Sequence, residues 1–136
     1  MVVSLSISNK ELIEKARKVA KIKQLSMFCK AGEVGCAIIT IKGNIYLGSS
    51  IDAPSGIGFC AEHSAIANMI ANNESEIERI VAICEDGTIL PPCGRCREFV
   101  YLINYKNLET EIILSEKHNK KLKELLPERW QEQFKS

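Results

Sequence analysis

The stretch VGCAIITIKGNIYLG, residues 34–48, decides the fold. Val34 to Lys42 is rich in β-branched residues, which favour a pleated strand. Gly43-Asn44 follows, and both residue types tolerate the positive φ of a tight hairpin turn. Ile45 to Gly48 is then the returning strand. Upstream, Ser8 and Glu11 form a capping box for a helix from about Lys10 to Lys23, with Leu12, Ala16, Val19 and Ala20 on one apolar face. Downstream, Ser49 to Phe59 carries Asp, Pro, Ser and Gly and reads as a loop. A second helix runs from near Cys60 to about Asn72, with Ile66, Met69 and Ile70 facing the core. Glu78 to Glu85 is a strand around Ile80-Val81-Ala82-Ile83. Asp86-Gly87 and Pro91-Pro92 bracket a loop, and a third helix, Cys93 to about Asn104, packs Phe99, Val100 and Ile103. Glu111 to Leu114 is a strand, Lys120 to Leu122 a short extended piece, and Pro127 to Phe134 a last helix. A helix, a β-hairpin and then α, β, α, β alternation argue an α/β fold, a mixed sheet with helices packed on it.

The bulk properties bound the function. The 136 residues are expected to form one domain, 1–136, with one core. Apolar residues at 46% and charged residues at 26% fit a soluble globular chain and exclude a disordered one. A formal net charge of +1 argues against a nucleic-acid partner, which demands a basic excess. No apolar run reaches the roughly 18 residues of a membrane span. Met1 to Ile7 is too short for a signal peptide and lacks its basic flank, so a cytoplasmic location is expected. In a reducing compartment the six cysteines read as a metal site or as buried side chains, not as disulfides. Cys29, Cys36 and Cys84 lie in apolar surroundings and read as small buried hydrophobes.

The other three cysteines carry the chemistry. Cys60-Ala61-Glu62 and Pro92-Cys93-Gly94-Arg95-Cys96 each open a predicted helix after a loop. A helix N-terminus offers free N–H groups and a positive dipole end, which favour thiolate over thiol. Cys93 and Cys96 are one turn apart on one helix face. Three ligands with a fourth position left for water mark a catalytic zinc, whereas a structural site is closed by a fourth ligand. Cys84, His63 and His118 are the candidates for closure. Glu62 favours the catalytic reading: a carboxylate beside an anionic thiolate site makes sense where a proton must be moved during attack on an amidine-like ring carbon. The competing readings are a structural zinc, an unmetallated pair of buried cysteines, and a Glu62 that serves only the helix dipole.

Cys60-Ala61-Glu62 with Pro92-Cys93-Gly94-Arg95-Cys96-Arg97 resembles the short, three-cysteine form of the cytidine deaminase family, including its blasticidin-S deaminase relatives. The resemblance implies a three-layer α/β/α sandwich with a mixed five-stranded sheet, one zinc ion per chain on Cys60, Cys93 and Cys96, Glu62 as the proton carrier, and a homotetramer. It implies hydrolytic deamination of cytidine or deoxycytidine to the uracil nucleoside and ammonia, with no nucleic-acid or membrane partner. Blasticidin S or another modified aminopyrimidine is the alternative substrate, and a non-catalytic zinc-stabilised binding module is the rival of another class. The family's Asn-x-Glu ribose grip is matched by Ser50-Ile51-Asp52, a shorter and weaker pair of contacts that could instead be a plain polar loop. Phe28 stands loosely for an aromatic packed near the base, or for a core residue. The resemblance also implies that the backbone of Ala61 and the Pro91–Pro92 carbonyls face the reacting amine. Arg97 offsets thiolate charge unless it is an ordinary surface arginine. His63 stands where many members carry Arg and takes over part of that task.

Overall fold

The computed structural model describes residues 7–134. The reading of Met1 to Ile7 as no signal peptide falls, but for Ile7, outside the described residues. The core follows from strand parity. Strand β2 (Cys29–Thr40) lies between β3 (Ile45–Asp52) on one edge and β4 (Ile77–Cys84) on the other. Successive side chains of a strand point to opposite faces. Ala37 and Ile39 of β2 therefore join Val81 and Ile83 of β4 under helix α1 (Asn9–Val19), against Leu12, Ile13 and Ala16. Cys36, Ile38 and Ile80 face the other way and pack on α2 (Ala61–Ala71) and α3 (Gly94–Ile103) through Ala65, Ile66, Met69, Val100 and Tyr101. The result is the expected α/β/α sandwich, with one helix on one face of the sheet and two on the other.

The sheet has seven strands where five were expected. β1 (Lys23–Ser26) pairs with β2 beyond the end of β4, and β5 (Ile89–Leu90) pairs with β4 beyond the end of β6 (Glu111–Ser115). The two additions thus share ranks with longer strands, and β7 (His118–Lys121) completes the far edge. Pairing is antiparallel except between β4 and β6, which α3 connects by a crossover. The hairpin reverses at Gly43, which has φ +87°, but the turn is longer than the two residues read: β2 ends at Thr40, Asn44 does not share the positive φ, and Thr40 accepts from Gly43 N–H and donates its own N–H to the Asn44 carbonyl.

Two helical expectations change. α1 stops at Val19 instead of reaching Lys23, because the chain leaves the helix at Ala20 to form β1. Its start is as expected, with Ser8 Oγ accepting the Glu11 N–H at 3.2 Å. The helix expected from Pro127 to Phe134 is reduced to a 3₁₀ turn, Trp130–Phe134, and a short helix α4 (Leu122–Leu125) forms before it, directly after β7. Glu98 on α3 anchors that turn by accepting from Trp130 Nε1 at 2.8 Å and from Gln131 Nε2. Among the described residues, no helix is long and apolar enough to cross a membrane.

Candidate metal and substrate site

Two helix starts converge on one point. Cys60 is the N-cap of α2 and Cys93 the N-cap of α3, both with extended backbone and neither using its side chain as a cap. Their sulfurs are left free to face each other, 3.7 Å apart. Cys96, one turn into α3 and buried, places its sulfur 3.4 Å from that of Cys93. All three ligand atoms lie within 4.8 Å of one another. Zinc–sulfur bonds of about 2.3 Å in tetrahedral geometry put sulfurs about 3.8 Å apart, so the three cysteines fit a zinc ion.

The chemistry of the donors agrees. Burial pushes the Cys60 and Cys96 thiols up, and the Glu62 carboxylate adds to the effect on both. Burial acts on Cys93 too, but the backbone N–H of Cys96, the thiols of Cys96 and Cys60 and the backbone N–H of Arg95 together outweigh it and hold that thiol below its ordinary value. Three thiolates beside a carboxylate repel one another, and a divalent cation between them makes the arrangement favourable.

The candidates for closing the site stand elsewhere. Cys84 ends β4 near Asp86 and Glu33. His118 is exposed on β7. His63 stacks on Phe99, with ring centroids 4.7 Å apart and planes 9° from parallel, and sets Nδ1 3.6 Å from Cys96 Sγ. It is a contact to a ligand, not a member of the ligand group. Burial, then the Arg95 charge, lowers its pKa and favours the neutral ring. Among the described residues the cluster therefore has three members, which leaves a coordination position open.

Glu62 is 5% exposed, in the first turn of α2. Its carboxyl comes within hydrogen-bonding reach of Cys96, and burial raises its pKa. Cys60 and Ala61, just before it in the chain, line the adjoining cavity, whose volume is about 470 Å³ and whose lining also includes Ser50, Asp52 and Arg95. Cys36, fully buried close to Glu62, keeps its proton because burial raises its pKa strongly.

The expected substrate-side residues are in part together. Ala61, Ser50 and Asp52 line the cavity. Ser50 is 8% exposed, and its Oγ accepts the Val34 N–H at 3.0 Å, which ties β3 to β2. Phe28 is not in the core: it is 69% exposed at the β1–β2 turn. It lines a second cavity with Met27 that meets the first at Asp52 and Ala53. Arg97 directs Nε to Pro92 O at 2.8 Å and Nη1 to Leu125 O at 3.2 Å, so these bonds brace the Pro92–Cys93 segment from behind.

Two charged cavity residues escaped the sequence reading. Arg95 lies between the paired cysteines and lines the cavity, and its place in the Cys93–Cys96 turn is a signal that was there to use. Glu33 also lines it, but only strand register puts it there, and no local motif announces that.

Fold and site together define a zinc-binding α/β/α protein with an open, three-thiolate metal centre. Residues 6–111 match the family described as the cytidine and deoxycytidylate deaminase zinc-binding region, and the chain belongs to that family. A curated relative, "Cytidine deaminase 6" of Arabidopsis thaliana, is 32% identical over an aligned length of 129, and the alignment covers 88% of this chain and 42% of the relative. The chain thus spans less than half the length of that relative. Among solved structures, the cytidine deaminase of Mycobacterium tuberculosis superposes with a TM-score of 0.75 at 23% identity, covering 92% of this chain and 98% of that one. The cytidine deaminase of Mycobacterium leprae gives 0.74 at 25% identity, covering 90% of this chain and all of that one (100%).

Proposed function

We propose that residues 1–136 form one cytidine deaminase domain that hydrolyses a cytosine-type nucleoside, cytidine or deoxycytidine, to the uracil-type nucleoside and ammonia. The carrying observation is the three-cysteine cluster at two helix starts, with no fourth ligand among the described residues and with Glu62 packed against it. Zinc, when bound, supplies the electrophilic activation that makes water a nucleophile near neutral pH. Glu62 takes the proton released as water adds to ring carbon C4 and gives it to ring nitrogen N3. The proton of the hydroxyl now on C4 then passes through the same carboxylate to the exocyclic amine, and the C4–N bond breaks to leave the C4 carbonyl and release ammonia. The backbone of Ala61 and the Pro91–Pro92 carbonyls orient that amine, and Ser50 and Asp52 hold the sugar side. His63 and Arg97 support the ligand loops.

The junction of the two cavities at Asp52 and Ala53 favours a second substrate reading. It gives room beyond a sugar for blasticidin S or another modified aminopyrimidine. A cytoplasmic homotetramer completes the proposal. The exposed apolar residues Met27, Phe28 and Ile57 near the cavity support self-association, since patches of this kind mark interfaces.

The test is metal analysis with an absorbance assay on cytidine, deoxycytidine, cytosine, dCMP and blasticidin S. One zinc per chain and turnover of cytidine or deoxycytidine are expected. Glu62→Ala should keep the zinc and the fold while ammonia release falls by at least about a hundredfold. Wild-type ammonia release from that variant would remove Glu62 from its role.

A further inference from the structure

The cavity has a charged far wall that the metal chemistry does not use. The pairing of β2 with β3 shifts between Ala31 and Gly35, which marks a β-bulge. Gly32 sits in it at φ +89°, where a Cβ would lie 1.9 Å from the Lys21 carbonyl oxygen, so glycine alone fits. Bulges re-aim side chains, and this one sets Glu33 at the cavity. The bulge is tied down on both sides of the Glu33 side chain. The Glu33 carbonyl accepts the Glu85 N–H at 3.1 Å, and the Val34 N–H donates to Ser50.

Glu33 and Asp52 bring their carboxyl groups within hydrogen-bonding reach of each other. Lys30 Nζ stands 3.2 Å from Glu33 Oε1. The hydrogen bond to Glu33 raises the Asp52 pKa, while the Lys30 contact, then Asp52, holds Glu33 down. Asp52 is therefore the member that first takes a proton, and Glu33 is the member that keeps its charge. Asp86 and Cys84 lie beyond Glu33. Arg95 is the cation at the cysteine end of the cavity. Two carboxylates thus line this part of the cavity, and the one ammonium beside them, Lys30 of the second cavity, pairs with Glu33.

We propose that Glu33 is a specificity-determining residue. It favours aminopyrimidine compounds whose substituent, distal to the reacting amine, is a cation or a hydrogen-bond donor, and it disfavours an anionic one. The inference rests on the deaminase reading, because that reading puts the amine at the cysteines and the substituent at Glu33. The test compares three compounds of graded charge with the zinc-loaded protein: 5′-amino-5′-deoxycytidine, cytidine and cytidine 5′-monophosphate. A partly exposed charge contributes about a fivefold step. Wild-type kcat/KM should therefore fall about fivefold from cation to neutral compound and again from neutral to anion, and 0.5 M salt should flatten both steps to about twofold. Glu33→Gln should compress the steps to less than about twofold, and Glu33→Lys should reverse the order. Both variants sit at an exposed ion pair, and unchanged melting confirms their fold. A wild-type enzyme indifferent to substituent charge, or an order that survives in both variants, overturns the proposal. If no compound is turned over, the deaminase reading fails, and the same charge order measured in Kd by calorimetry decides the role of Glu33 alone.

Discussion

Gly48→Ala should damage the metal centre from the opposite side of a helix. Gly48 lies on β3, where α2 rests on the sheet. A methyl group there would stand 2.3 Å from Ala65 N, 2.7 Å from Ala61 O and 2.8 Å from the carbonyl carbon of Ser64. All three atoms are backbone of the start of α2, so no side chain can swing aside. Ordinary contact begins near 3.4 Å. The helix must therefore retreat by about 1 Å, because close-packed interiors have no slack to absorb the methyl. Overpacking of this kind costs about 1–3 kcal/mol, which for a chain of this size lowers Tm by roughly 4–12 °C. The retreat also carries Cys60, the N-cap of α2, away from Cys93, 3.7 Å distant across the cluster. An opening of several tenths of an ångström or more exceeds the tolerance of zinc–sulfur bonds and should weaken zinc at least about tenfold. Calorimetric melting with and without zinc, together with competition against a chromogenic chelator, reads both effects. Gly94→Ala is the control: nothing lies within 4 Å of a Cβ at that helical position, and the change should be neutral or stabilise by up to about 1 kcal/mol. A Gly48→Ala protein with wild-type Tm and wild-type zinc affinity would refute the claim that this contact sets the position of Cys60.

Three further outcomes are expected. Asn107 is fully buried; its Oδ1 accepts from Ile77 N at 2.8 Å, and its Nδ2 donates to Ser75 O at 2.9 Å and Val100 O at 3.0 Å. Asn107→Ala strands those partners and should cost at least about 3 kcal/mol in urea unfolding, and a loss below about 1 kcal/mol would contradict the assignment. Burial pushes the Glu74 carboxyl up, but hydrogen bonds from Tyr46, Thr40 and Asn44 outweigh it and leave the pKa below the ordinary 4.5. A lowered carboxylate pKa adds stability that is fully present above the unfolded value and is lost as pH falls through the folded one. Glu74→Gln should therefore flatten the urea midpoint against pH on the acid side of about 4.5, and parallel wild-type and variant profiles would exclude the linkage. Zinc at a thousandfold its Kd should stabilise the wild type by about 4 kcal/mol over the chelated form, and Cys93→Ser should remove most of that difference.

The ligand set was legible in the sequence because it rests on local rules. Cys60 and Cys93 follow loops at helix starts, and a spacing of three puts Cys96 on the same face as Cys93 whatever the sheet does. The chain reversal at Gly43 was legible for the same reason, though not the length of the turn. β1 was not. All four of its residues are exposed, and Lys21 to Lys23 continue a helical composition, so nothing local marks the break at Ala20. Pairing with β2 decides it. Phe28 illustrates a related limit. Its type announces burial, but its place at the β1–β2 turn sets it at the rim of a cavity. Glu33 shows the limit most clearly, since its direction depends on a bulge created by Gly32 against Lys21, a contact across elements that no window of sequence contains.

The charge balance of the centre shifts from side chains to backbone. Arg97, read as a counterion for the thiolates, gives two of its hydrogen bonds to the carbonyls of Pro92 and Leu125. His63 touches Cys96, yet burial and Arg95 favour its neutral form. What faces the sulfurs directly is the positive end of two helices, and the N–H groups of Cys96 and Arg95 in the first turn of α3 join the neighbouring thiols of Cys96 and Cys60 in holding Cys93 below its ordinary pKa. Dipoles fixed by the fold need no reorganisation and do not titrate. A neutral His63 can then donate one hydrogen bond to Cys96 without adding charge, which draws electron density from that sulfur and keeps the metal electrophilic. The helix starts therefore do two jobs at once. They aim three sulfurs at one point, and they stabilise the negative charge that those sulfurs must carry to hold zinc.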